Sequence, residues 1–190
     1  HASAGVPAAN TDWFFAEGAT GTFFDMYLLL ANPSTSPTNV TVRYLLPGGA
    51  APFVKTYPLA AQSRQTISVE VEDASLQDAA IAMVVDADAP IVAERAMYWP
   101  GPSGSGWLEA HNSPGTTETG TVWAVAGGEM GGANATQTFV LVANTSTFAG
   151  RARVTVLREG GTPLVKVIDL LPDSRQNVNI GDYPEFAAVA

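Results

Sequence analysis

The sequence predicts an all-β protein: two tandem immunoglobulin-like antiparallel β-sandwich repeats, the second incomplete at its C-terminal end. Three observations predict it. Apolar residues alternate in short runs rich in β-branched and aromatic side chains. Gly, Pro, Asn and Ser punctuate those runs every ten residues or so. The chain also repeats itself: Trp13 and Trp123 open similar stretches 110 residues apart, within 190 residues. In the first repeat the strands are expected at Trp13–Ala16, Met26–Ala31, Val40–Leu46, Phe53–Leu59, Gln65–Val71, Ala80–Val85 and Ile91–Trp99. The turns NPSTSPT, LPGGAAP and DADAP separate them, and the only helical turn is expected in DASLQDAA. About seven strands in roughly 110 residues is a sandwich profile, and a propeller blade of about 40–50 residues is too short to match.

The two copies align residue by residue. Gly18 falls on Gly128, Ala31-Asn32 on Ala143-Asn144, Val42 on Val154, Val54-Lys55 on Val165-Lys166, and Ser63-Arg64-Gln65 on Ser174-Arg175-Gln176. The offset changes at loop-forming Gly/Pro/Ser positions, where insertions are tolerated. His1, Ser3 and Gly5 precede Trp13 as His111, Ser113 and Gly115 precede Trp123. The division is therefore 1–12 as the linker from a preceding repeat, 13–110 as the first sandwich, 111–122 as a linker and 123–190 as a truncated second sandwich. Ala187–Ala190 resembles Ala79–Ala82, and no counterpart of Met83–Trp99 follows. The chain reads as a window on a tandem array.

Composition narrows the function. There are 9 Lys+Arg against 18 Asp+Glu, a net charge of −9 and a pI of about 4.5, so a phosphate backbone is repelled and nucleic acid is not an expected partner. No apolar run approaches the roughly 20 residues a membrane-spanning helix needs, and no charged-then-apolar leader opens the sequence. With no Cys, disulfides, thiolate chemistry and Cys-ligated metals are excluded.

WFFAEG (Trp13–Gly18), YLLLANP (Tyr27–Pro33), SRQTISV (Ser63–Val69), PIVAERAMYW (Pro90–Trp99) and the His-x-Ser-x-Gly linker resemble a repeat family of large secreted and surface proteins of Gram-positive and filamentous bacteria. The resemblance covers nearly the whole chain, with five motifs in order. It implies extracellular or cell-surface β-sandwich modules without established catalytic activity. The second copy departs from the pattern: AVAGG (Ala124–Gly128) replaces FFAEG, ANTS (Ala143–Ser146) replaces the Asn-Pro turn, and ERAMYW is absent. A role placed on Glu17 is therefore not shared by both copies.

Candidate chemistry is sparse. His111 with Ser113 are the ingredients of a nucleophile, but they recur at His1 and Ser3 as linker geometry, and there is no Gly-x-Ser-x-Gly elbow. Glu17, Glu94 and Glu109 could supply a glycosidase-type carboxylate pair. The plainer reading makes Arg64, Glu94 and Arg95 a structural ion-pair group, with Glu94 joined to Arg64 or Arg95. Glu70, Glu72 and Asp73, and separately Asp86 with Asp88, are oxygen-rich enough for calcium but lack a known ligand spacing; solvated loops are the default and no cofactor is expected. Trp99 and Trp107 flank PGPSGSG and are the candidate ligand-binding residues for a surface glycan, against packing at the junction between repeats. Trp13 and Trp123 read as core anchors. Asn39, Asn134 and Asn144 head acceptor patterns for N-glycosylation. The expected function is a non-catalytic structural or adhesive module contacting neighbouring repeats or subunits. The alternatives are a glycan-binding module, or a filament subunit that takes a donated strand into its incomplete second sandwich.

Overall fold

A computed structural model describes residues 5–100, 106–131, 133, 135–184 and 186. Eleven strands are described: β1 Asn10–Phe15, β2 Asp25–Asn32, β3 Thr38–Leu45, β4 Phe53–Leu59, β5 Ser63–Ser68, β6 Ala82–Trp99, β7 Glu109–Pro114, β8 Phe139–Asn144, β9 Gly150–Val156, β10 Leu164–Leu170 and β11 Ser174–Asn179. Alternation decides which face each strand buries. In β2, Met26, Leu28, Leu30 and Asn32 point inward while Tyr27, Leu29 and Ala31 are only half-buried. They meet Val40, Val42 and Tyr44 of β3 and Val85, Ile91 and Ala93 of β6 in one core. Burying a leucine such as Leu28 contributes roughly 1.5–3 kcal/mol.

β6 is the organising strand. The two strands expected at Ala80–Val85 and Ile91–Trp99 are one, running through the DADAP segment that was expected to turn. Its first half pairs with β1 and β3, and its second half pairs with β2 and β7. The layers are thus β4-β3-β6-β1 and β5-β2-β6-β7, one seven-stranded antiparallel sheet curled over on itself at β6. Pro90 sits where β6 passes between partners, close to the β1 register shift between Asn10 and Asp12. A proline without an N–H costs little there, and this is why it does not end the strand.

The helical turn expected in DASLQDAA is a short 3₁₀ turn at Ala74–Leu76, whose first N–H groups are capped by Asp73 accepting from the Ser75 amide at 2.9 Å. The segment read as a linker from 111 to 122 starts as a strand, since β7 pairs with the C-terminal half of β6 and Thr116 bridges to Phe14.

The later strands reproduce part of this pattern. β11 pairs with β8 so that Arg175 faces Ala143, as β5 pairs with β2 so that Arg64 faces Ala31. β10 pairs with β9 so that Lys166 faces Val154, as Lys55 faces Val42. Individual hydrogen bonds recur too. Asn32 Nδ2 donates to the Ser36 and Ala60 carbonyls at 2.8 and 3.0 Å, and Asn144 Nδ2 to those of Phe148 and Leu171, both at 2.8 Å. Among the described residues, however, no strand joins β9 to β8 as β6 joins β3 to β2, leaving two two-stranded ribbons around Val154, Ile168, Val178, Ile180 and Phe186. This corrects the expectation for Trp123. Trp13 is 1% exposed because β6 covers it and Ile91 O accepts its indole N–H at 3.1 Å, whereas Trp123 is 66% exposed with only the Gly120 carbonyl, at 3.0 Å.

Candidate functional site

Two places on the first unit gather polar or aromatic side chains, and the first is buried. Arg95 is 1% exposed on the inner face of β6. Its Nη1 pairs with the Glu17 carboxylate at 2.8 Å and donates to the Glu17 carbonyl at 3.3 Å. Its Nη2 lies 2.8 Å from His111 Nδ1 and 3.2 Å from Ser113 Oγ. An arginine has no acceptor, so in this contact His111 Nδ1 is the acceptor. The His-x-Ser-x-Gly spacing follows from β7 alternation: His111 and Ser113 face inward to Arg95, and two residues on a Gly115 Cβ would sit 2.8 Å from the Phe15 ring. Three motifs thus meet on one guanidinium.

The ion-pair group expected from sequence is not assembled this way. Glu94 and Arg95 are adjacent on β6 and leave opposite faces, so Arg95 takes Glu17 instead. Glu94 enters no ion pair among the described residues. Arg64 is exposed, with a 3.3 Å bond to Thr66 Oγ1. The same alternation leaves Glu94 on the face away from Arg95 and Glu17, and Glu109 accepts the Trp99 indole N–H at 2.8 Å.

A second arginine reaches the same segment from β11. Arg175, 4% exposed, donates through Nη1 to the Gly18 carbonyl and to the Ile81 carbonyl, the latter at 3.4 Å. Its backbone N–H reaches Leu46 O at 3.3 Å. Asp173 pairs with Arg43 at 2.6 Å. Ala143 packs on the cluster of Leu45, Ala82 and Val84, as Phe14 does. Burial pulls the Arg175 guanidinium down to about 10; the Arg95 charge adds to that and Glu17 opposes it. Glu17 is therefore the counter-charge where the β8–β11 ribbon meets the first unit.

The other place is aromatic. Trp107, 54% exposed, stacks on Tyr98 with centroids 4.9 Å apart and meets Tyr27 edge-on at 5.9 Å, while its indole N–H donates to Asp25. Burial, then the Glu70 and Asp25 carboxylates, raises the Tyr27 phenol above its ordinary value, which keeps it a neutral hydroxyl. Trp99 lies on the opposite face, edge-on to Phe24 at 5.8 Å and beside Glu17 and His111. The two tryptophans do not share a site. Tyr27 and Tyr98 are not among the expected ligand-binding residues, although Tyr98 sits one residue from Trp99 and so on the other face. Most of PGPSGSG lies outside the described residues.

The acidic groups considered for calcium are turned to protein donors. Glu72 accepts from Tyr57 at 2.7 Å and pairs with Lys55 at 2.5 Å, Glu70 accepts from Ser68 Oγ at 2.8 Å, and Asp73 caps Ser75. Among the described residues no three acidic or imidazole groups converge on one point. Asn39 Nδ2 donates to Asp88 at 3.1 Å, the Asn144 amide is held in its turn, and Asn134 lies outside the described residues. No helix among the described residues is long and apolar enough to cross a membrane.

No family model and no curated protein matches the sequence. Solved structures do match. The crystal structure of Thermotoga maritima 1070 superposes with a TM-score of 0.52 at 12% identity, covering 58% of this chain and 96% of that one. At that identity the fold is what they share. The Anabaena sensory rhodopsin transducer matches with a TM-score of 0.41 at 17% identity, covering 48% of this chain and 99% of that one.

Proposed function

We propose that this chain is a non-catalytic structural or adhesive module of a bacterial extracellular or cell-surface protein, built of tandem β-sandwich repeats that stack end to end. The observation that carries the reading is Arg175, buried into the Gly18 and Ile81 carbonyls of the first unit from a strand that pairs in the register of β5. A repeat that docks its neighbour through its own recurring motif is what a stiff spacer requires. The two four-stranded layers support the immunoglobulin-like part of this reading, and the strand order does not, because β6 passes through both. Small-angle X-ray scattering tests stiffness: the natural chain is expected to give a single narrow distance distribution and Arg175→Glu a broader, longer one. Identical curves would overturn the reading.

Two specific observations support second readings. The Tyr27/Tyr98/Trp107 platform with Asp25 has the combination that stacks on a sugar ring and accepts its hydroxyl protons. A glycan array decides, with binding by the natural chain and loss in Trp107→Ala as the supporting result. The break between β9 and β8, together with the exposure of Val122, Trp123 and Val125, fits a strand supplied by a neighbouring subunit. Uptake of a synthetic peptide of the β6 sequence would support it.

A further inference from the structure

The contact made by the second unit has an exposed equivalent on the first among the described residues. The face that docks is Ala143 with Arg175 and Asp173, and at the repeat offset these are Ala31, Arg64 and Gln62. The local geometry is matched. Gln62 and Asp173 both sit in the left-handed region, at φ +48° and +42°, and each donates its N–H at 2.9 Å to a serine carbonyl, Ser34 or Ser146. The hydroxyls of Ser63 and Ser174 close the same turn onto Ala60 O and Leu171 O at 2.8 and 2.7 Å. Arg175 is buried in this arrangement and Arg64 is exposed, beside a shallow hollow lined by Ala31, Asn32, Gln62 and Val92.

Resting on the reading of stacked repeats, we propose that the Arg64 face is a docking site for one more unit of the same kind. The occupant is the end of a sandwich that presents the Gly18 and Ile81 carbonyls, a Glu17-type carboxylate and the apolar patch of Leu45, Ala82 and Val84. Arg64 enters between the two carbonyls, and Ala31 lies on the patch. The contact is heterologous, one end of a unit against the other end of the next, so it extends without closing. It is weaker than the internal one for two residue-level reasons. Gln62 replaces Asp173 and cannot form the ion pair with an Arg43-type residue, and Ala60 stands where Leu171 lies against Gly49. Arg64 therefore carries a larger share of the contact than Arg175 does.

The test places a third unit ahead of the natural chain. Residues 1–110 followed by residues 1–190 recreate the Ala110–His111 junction as Ala110–His1, because the repeat distance there is 110. In the natural chain Arg64→Ala is expected to change amide exchange in β5 by less than about threefold. In the extended chain the same substitution in the middle unit is expected to accelerate it about 30-fold or more, as Arg175→Ala does for β11 in the natural chain. An equally small effect in both chains, with Arg175→Ala effective, overturns this proposal alone; an ineffective Arg175→Ala overturns the stacking reading beneath it. Should the extended chain not fold, Arg175→Glu in the natural chain uncovers the first unit's far end. Concentration-dependent self-association, growing past the dimer, that vanishes in the Arg64→Glu/Arg175→Glu double variant then supports the site, and a strictly monomeric Arg175→Glu chain overturns it.

Discussion

Truncating Arg175 to alanine removes two hydrogen bonds from a charged group to the Gly18 and Ile81 carbonyls and the packing of its buried stem. Hydrogen bonds to charged groups contribute about 1.5–3 kcal/mol each, and the 3.4 Å bond to Ile81 O belongs at the lower end. Several contacts survive. The Arg175 backbone N–H keeps Leu46 O, Gly18 O still accepts the Ile81 N–H at 2.9 Å, and Asp173 keeps Arg43. The depressed guanidinium pKa, about 10, also means that burial of the charge is not fully compensated, and its removal returns part of that cost. The expected loss is therefore about 2–3 kcal/mol, a roughly 30- to 150-fold rise in the open population at about 1.4 kcal/mol per tenfold. Native-state hydrogen exchange reads this directly: β8 and β11 amides accelerate by that factor while β2 amides, inside the first core, do not. An acceleration below about threefold in β11 would refute the docking role of Arg175.

Asp86 is exposed on β6 opposite Asp12, and partial desolvation together with that carboxylate raises its pKa against the pull of Arg43. The native state then holds a proton that the unfolded chain releases, so stability falls as pH rises from the unfolded carboxylate value of about 4 through the raised native one. Asp86→Asn is expected to raise the urea midpoint at pH 7, with the gain disappearing below about pH 4. Tyr57→Phe removes a buried hydroxyl that bridges Tyr44 at 2.9 Å and Glu72 at 2.7 Å, and urea unfolding should show a loss of about 1–3 kcal/mol. Glu17→Gln leaves the buried Arg95 without its carboxylate. Because Glu17 is half-exposed, the expected cost is about 1–2 kcal/mol, well below that of breaking a fully buried pair, with increased exchange in β7 as its local signature.

Much of the fold was legible because period-two alternation is a local property. The expected β4, Phe53–Leu59, matches to the residue, and β2 is within one residue of its expected ends. What alternation does not encode is partner choice. DADAP carries ordinary turn residues, and β6 is continuous only because its two halves find different neighbours. Trp123 repeats Trp13 in sequence, but burial depends on a covering strand, and none is described over the second copy. At the site, Ser-Arg-Gln recurs in sequence but not in surroundings: Arg175 is buried against the Gly18 and Ile81 carbonyls, whereas Arg64 is exposed. The partners of the buried arginines do not follow from proximity: Arg95 takes Glu17, 78 residues away, and Arg175 takes Gly18, 157 residues away. The inward alternation of His111 and Ser113 is a strand signal too, since β7 runs Glu109–Pro114 across the segment read as a linker.

The claim that this chain is part of a stacked array is tested most directly by the intact mass of the native polypeptide in the cells that make it. The account predicts a mass far above the 19.8 kDa of these 190 residues, with further repeats of the same spacing. A native polypeptide of 19.8 kDa would contradict it and make strand exchange between subunits the route by which the second sandwich is completed.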